Sequence, residues 1–259
     1  MAEEGMSFWE HLEDLRHTLF KVVVALAVCV IATFLAMPYI FDSFVLGPTT
    51  SDFFLYRWIG SLGARLPLLP DFGDQSFAVD IININVASQF LTHISTSFWF
   101  ALVIAFPFII YQLWLFVRPA LYPQEIRSMR TAFLFGTVMF FIGCAVGYCV
   151  VFPFTFRFLV EYQLSASIVN QINLSSYIGN FVTMVFVMGL VFELPLLAWI
   201  LSRFGLIDKG FLVKYHKHAI VILLVLAAVI TPSGDPFTLM LVFLPLYFLY
   251  LLSIRVVRK

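Results

Sequence analysis

The chain has 259 residues and no net formal charge, and it is 62% apolar and only 12% charged, with a mean hydropathy of +0.99. Soluble domains carry about twice that charged fraction, so a water-soluble fold is excluded, and nothing basic or glycine-rich points to nucleic acid or a nucleotide. Apolar runs of membrane length recur about every 30–50 residues, which defines an all-α integral membrane protein with several spans.

Ser7 followed by Glu10 is a capping-box pattern, so a helix is predicted to start there. Phe8, Leu12, Leu15 and Leu19 form one apolar stripe at helical spacing, and Glu10, His11, Glu13, Asp14 and His17 fall mostly on the other side. This amphipathic interfacial turn leads into a first span at 20–41, with Pro38 near its end. That run is too long for a signal-peptide core and lacks a small-residue cleavage site, so it reads as a retained span. Residues 42–91 form a long connection. Its apolar patch at 53–59 predicts a helix lying on the membrane surface, and the Ile-Asn-Ile-Asn-Val alternation at 82–86 predicts a short extended piece.

The second span, 92–117, is expected to kink or unwind at Pro107 and ends in interfacial aromatic and basic residues from Tyr111 to Arg118. Pro123 suits a first helical position, which puts Glu125 in the first turn, where a negative charge complements the helix dipole. A third span, 129–152, ends near Pro153. A partly helical connection over 154–176 carries Arg157 and Glu161. The fourth span, 177–202, is followed by a polar loop, 203–217. Two short segments, 218–230 and 237–254, flank a tight turn from Thr231 to Pro236. The fifth segment covers roughly 20 Å against a hydrocarbon thickness near 30 Å. Cys29, Cys144 and Cys149 lie in apolar runs, where a thiol serves as a small core residue.

Six spans return the C-terminus to the side of the N-terminus. If that side is cytoplasmic, the inner pieces hold Arg16, Lys21, Arg118, Arg127, Arg130, Arg203, Lys209, Lys214, Lys217, Arg255, Arg258 and Lys259. Only Arg57, Arg65 and Arg157 of the 15 basic residues then fall outside. The positive-inside rule therefore favours N-in and C-in.

One acid, Glu193, lies well inside a membrane-length run, with Pro195 two residues on. A charged side chain deep in a bilayer costs roughly 2.5–3.5 kcal/mol even on lenient insertion scales. Glu193 reads either as a functional group or as a neutral acid bonded to a neighbouring helix. Because Pro195 has no N–H, it leaves the carbonyl of Val191 without its helical donor.

No catalytic motif of the hydrolase or metalloprotease type is present. His216-Lys-His218 reads as an interfacial anchor rather than a metal pair. The expectation is therefore a non-enzyme without metal or cofactor. A proton-coupled small-molecule transporter centred on Glu193 is the alternative, although it usually carries several intramembrane ionisable groups or paired broken helices. Two acidic sites stand out among the basic loops: Glu10/Glu13/Asp14 and Glu125. Locally, Glu13 can pair with Arg16 and Glu125 can cap its own helix. Alternatively, the carboxylates hold a cationic peptide through forked, charge-assisted bonds to arginine.

The segments FWEHLEDLR at 8–16, YQLWLFVRPALYPQE at 111–125, FELP at 192–195 and TPSGDPF at 231–237 together resemble the TatC family, the multispan core of the twin-arginine protein translocase. The resemblance implies a curved, glove-shaped bundle of six transmembrane helices with short fifth and sixth spans. It also implies a place in the cytoplasmic (inner) membrane, among membrane lipid, and self-association in the working complex. The function implied is binding of twin-arginine signal peptides of folded precursors at the cytoplasmic face. Single-span TatA- and TatB-like partners would then be recruited for export driven by the proton-motive force. Asp14 takes the place of the family's N-terminal glutamate, one methylene shorter, with Glu13 beside it and Arg16 as the matching arginine. Glu125 matches the second arginine-binding carboxylate, Gln112 and Phe116 match residues lining that site, Glu193 matches the intramembrane acid, and Asp235 matches an acid in the last outer turn. In the outer loop only Pro48 is carried over.

Overall fold

The computed structural model describes residues 8–56, 77–120, 123–165, 167 and 170–257, with the side chains of 8, 10, 11, 120 and 123–125 outside that description. The predicted cap residue Ser7 and residues 57–59 of the predicted surface helix at 53–59 lie outside the described residues; of the remainder, 54–56 are helix and Phe53 is not. Apolar backbone in a bilayer must satisfy every N–H and C=O within its own segment, and helices accordingly dominate. They are α1 (Phe8–Ile40), α2 (Ser88–Val117), α3 (Pro123–Val146), α4 (Phe152–Glu161), α5 (Leu174–Val191), α6 (Leu194–Arg203), α7 (Lys209–Lys214), α8 (His216–Ile230) and α9 (Pro236–Val256).

Among the described residues, five helical stretches are long and apolar enough to cross a membrane: Leu12–Thr49, Ser88–Val117, Ile126–Glu161, Leu174–Arg203 and Pro236–Val256. α8, the expected short fifth segment, has 15 residues, about 22 Å at 1.5 Å per residue against ~30 Å of hydrocarbon. The expected short last segment is corrected. α9 has 21 residues, about 31 Å, because Asp235 caps it one residue before Pro236 and its final turn continues through Arg255 to Val256.

Proline positions explain two further differences. The third segment does not end at Pro153. α3 passes through a π-helical turn, Gly147–Val151, directly into α4, and the chain stays helical to Glu161. Pro153 falls in the first turn of α4, where its missing N–H removes no needed bond. The fourth segment, in contrast, is broken. α5 stops at Val191, Phe192 and Glu193 form a turn, and α6 restarts with Pro195 in its first turn. α2 stays helical through Pro107.

α1 and α2 run antiparallel. Thr33 Oγ1 donates to the carbonyl of Ser97 at 2.8 Å, and His93 Nε2 lies 2.8 Å from the carbonyl of Phe34 with its ring stacked on Phe34. At the end where α1 finishes, the connections interlock. Tyr177 OH donates to Val45 O at 2.5 Å, and Tyr148 OH donates to Phe44 O at 2.9 Å. Strand β1 (Ile81–Ile82) pairs in parallel with β2 (Ile172–Asn173). The extended piece is thus Ile81–Ile82 rather than 82–86, because its partner strand supplies only two residues.

Arg157, expected in a connection, is a buried pin of this end at 2% exposure. Its Nε donates to Glu161 Oε1 at 2.5 Å, and its guanidinium lies over the rings of Phe77 and Tyr56 at 4.7 and 5.3 Å. Burial pushes the Tyr56 hydroxyl well above its ordinary pKa, outweighing the opposing pull of Arg157, so it stays a neutral donor.

α3 packs on α5 through small residues. A Cβ built on Gly143 would stand 2.6 Å from the carbonyl oxygen of Met188, and one on Gly147 would stand 2.9 Å from Cα of Val185. Backbones that close tolerate only glycine, the usual device of helix pairs in membranes. Cys144 is buried in this seam against Phe106 and Phe140, as expected of a core thiol.

Asp235 is the N-cap of α9. Its Oδ1 accepts the Thr238 N–H at 2.9 Å, and its Oδ2 accepts the hydroxyls of Thr238 and Ser233. Burial works against its ionisation, but these bonds, with the backbone N–H of Phe237, outweigh it and hold the carboxyl below its usual range. A carboxyl depressed on folding stabilises fully above its unfolded pKa, near 3.9, and loses that contribution as pH falls through the lower folded value. Asp235→Ala should therefore lower stability by about 1 kcal/mol at neutral pH, with the deficit shrinking below about pH 4. Thermal unfolding of the purified protein at the two pH values checks this.

Candidate functional site

The antiparallel pairing of α1 and α2 returns the end of α2 to the side where α1 begins. A 3-10 turn, Arg118–Ala120, then leads toward the start of α3 on that same side. Three elements carrying predicted site residues therefore meet at one end of the molecule. On α1, Glu13, Asp14 and Arg16 are all exposed. Glu13 is 71% exposed and lies 3.9 Å from His17 one turn on, not paired with Arg16. Leu12, Leu15 and Leu19 of the predicted apolar stripe are exposed as well, so this first part of α1 projects from the bundle with both faces available.

On α2, Gln112 is buried at 6% exposure and Phe116, one turn later on the same face, is half-buried. Glu125 lies in the first turn of α3 as predicted, and its side chain is outside the described residues. Among the described residues no hydrogen bond or ion pair joins Glu13 or Asp14 to Gln112. The site is thus an open arrangement of acceptors rather than a closed cluster. A carboxylate with free lone pairs facing water is chemically suited to a forked guanidinium.

Glu193 occupies a different place. It sits in the turn between α5 and α6 at 8% exposure, and neither carboxyl oxygen has a hydrogen-bond partner among the described residues. It does not cap α6, although it holds the N-cap position. The reading of Glu193 as an acid bonded to a neighbouring helix therefore has no bond to support it. What holds the carboxyl is shape. It rests against Gly136 of α3, where an added Cβ would stand 2.7 Å from Oε2. Pro195 is buried in the first turn of α6.

The two outer-loop residues are structural in their contacts. Pro48 is buried, and its carbonyl lies 3.1 Å from Tyr56 OH; Asp235 is the cap described above.

Gly136 was missed from sequence, although Gly136, Gly143 and Gly147 recur at spacings of seven and four, the signature of one helix face. Arg203 was read only as a loop cation. It is built in: Nη2 donates to Ser128 Oγ at 3.1 Å, and the guanidinium stacks over Trp199 at 5.0 Å.

Residues 10–245 match the family model described as Sec-independent protein translocase protein (TatC). A TatC from Blattabacterium sp. subsp. Periplaneta americana is 35% identical over 97% of this chain and 94% of that protein. One from Deinococcus radiodurans is 35% identical over 96% of this chain and 85% of its own length. A crystal structure described as the twin arginine translocase receptor TatC superposes with a TM-score of 0.72 at 27% identity, covering 95% of this chain and 97% of the other. A second, of the same receptor in DDM, gives 0.73 at 26% identity, covering 96% and 100%. With five membrane-length helices among the described residues, a match across nearly its whole length and the same fold, this chain belongs to the TatC family, multi-pass membrane components of a protein translocase and not enzymes.

Proposed function

We propose that this protein is the receptor for twin-arginine signal peptides of folded precursors, and that the end where α1 begins is its cytoplasmic face in the inner membrane. The observation that carries this reading is the convergence of exposed Glu13 and Asp14 on α1 with the first turn of α3, the position of Glu125, at one end of the bundle. Asp14, with Glu13 beside it, holds one arginine and Glu125 the other, in charge-assisted forks. Gln112 and Phe116 line the space between them, and Arg16, exposed beside the α1 carboxylates, is the family's matching arginine. The apolar part of the signal lies along the curved, glove-shaped helix face.

In this reading α8 completes six transmembrane helices, N-in and C-in, as the distribution of basic residues favours. The short α8 thins the bilayer beside it or sits recessed in the bundle. Single-span TatA- and TatB-like partners join the receptor, which self-associates, and the proton-motive force drives export. Glu193 and Pro195 act after recognition, offering a polar point within the membrane to a partner helix or to the inserted signal. Charge reversal tests the assignment. Glu125→Lys should abolish cross-linking of a twin-arginine peptide to the purified receptor, and unchanged cross-linking would sink it.

A further inference from the structure

A groove of about 560 Å³ opens between the start of α3, the first two turns of α6 and the end of α9. Its lining includes Arg127, Ser128, Thr131, Phe135, Leu196 and Trp199. Its chemistry is graded along its length. At the end near the start of α3 stands Arg127, and the guanidinium of Arg203, outside the lining itself, backs that end through Ser128 and Trp199; toward Phe135 and Leu196 the walls are apolar. From Arg127 to Phe135 the helix advances about 12 Å, close to the ~15 Å depth of half a 30 Å hydrocarbon core.

The charged end is short of anionic partners. Among the described residues neither arginine pairs with a carboxylate. Arg203 is held rigidly by Ser128 and Trp199, yet its buried Nε has no hydrogen-bond partner. Ser128 Oγ accepts from Arg203, so its own O–H remains to donate, whereas the Thr131 hydroxyl is used on the carbonyl of Arg127.

We propose that this groove is a binding site for one phospholipid with an anionic phosphate headgroup, drawn from the leaflet on the side where α1 begins. The phosphate sits against Arg127, Arg203 and the Ser128 hydroxyl, and an acyl chain follows Phe135 and Leu196 inward. Basic pockets between spans bind such headgroups because guanidiniums fork onto phosphate oxygens while the apolar walls take the tail. The groove lies within the usual volume range of small-molecule sites. A twin-arginine peptide is excluded by like charge, and a purely apolar helix would leave both guanidiniums unneutralised. The proposal stands independently of the signal-peptide reading.

The test is native mass spectrometry of the full chain in neutral detergent with equal amounts of dioleoylphosphatidylglycerol and dioleoylphosphatidylcholine. The native chain should retain the anionic lipid over the zwitterionic one by about thirtyfold, as two cations near the headgroup provide at about 1 kcal/mol each. R127Q/R203Q should abolish the preference, R127K/R203K should keep most of it, and K217Q should leave it intact. T131W, which fills the groove, should also abolish it. Excess inorganic phosphate should not displace the lipid. Equal retention of both lipids by the native chain would overturn the proposal, as would an undiminished preference in R127Q/R203Q or T131W. So would displacement by inorganic phosphate, or capture of a protein instead of lipid by a photoreactive residue at 135 in native membranes.

Discussion

A Glu193→Met chain is expected to unfold at a higher temperature than the native one while losing most precursor export. The carboxyl is 8% exposed and has no hydrogen-bond partner among the described residues, so its burial is uncompensated in the resting molecule. An unpartnered buried polar group costs about 1–3 kcal/mol, and an apolar side chain of similar volume removes that cost while still filling the space against Gly136. Glu193→Gln keeps a polar head in the same place and should leave the unfolding temperature near native. A stabilised, export-defective Glu193→Met is the behaviour of a group kept for function at the expense of stability. A marked fall in unfolding temperature would show instead that the acid holds the α5–α6 turn together. Thermal unfolding in detergent, with export assayed in cells, separates the two.

The second large effect is expected at Gly143, where leucine should prevent accumulation of folded protein. The nearest groups to an added Cβ are the backbone carbonyl of Met188 at 2.6 Å and the Phe192 Cβ at 2.8 Å. Neither can swing away, so α3 and α5 must separate. Overpacking against flexible side chains costs about 1–3 kcal/mol; against backbone the cost lies above that range. Gly179 supplies the control. It is also helical, in α5, and nothing lies within 4 Å of its added Cβ. Gly179→Leu should be neutral or stabilise by up to about 1 kcal/mol, through the better helix propensity. Detergent-extractable, monodisperse yield reads both variants, and equal yields would contradict the packing account.

The apolar segments were legible because hydropathy over a membrane length is a local property, and the predicted runs coincide with helix except at the Phe192–Glu193 turn. What the prolines do was not local. Pro153 and Pro195 send the same message, a missing N–H, yet one rides through a π-helical turn and the other marks a break. The difference lies in what packs around them: Gly147 lets α5 approach the π-helical turn closely, whereas Glu193 forms a turn seated on Gly136. Likewise Glu193 announced itself as an acid in an apolar run, but its seat lies 57 positions earlier in the chain (193 − 136). Nothing in the neighbourhood of either residue links the two. That Asp14 and Glu125 share one side was legible from the span count and the basic loops, whereas their common role came only from the match to a family pattern. In the structure the shared side follows from the antiparallel return of α2 along α1.

Site-specific photocross-linking addresses the receptor reading most directly. Photoreactive residues at 15 and 126, beside the carboxylates and not in place of them, are offered a precursor carrying two consecutive arginines, and in parallel the same precursor with two lysines. Both positions should capture the twin-arginine signal, and capture should fall sharply with twin lysine, which cannot form the forked bond. Capture at 15 should also vanish when Glu125→Lys is combined with the probe. Equal capture of the arginine and lysine precursors, or capture at 15 that is indifferent to Glu125→Lys, would contradict it.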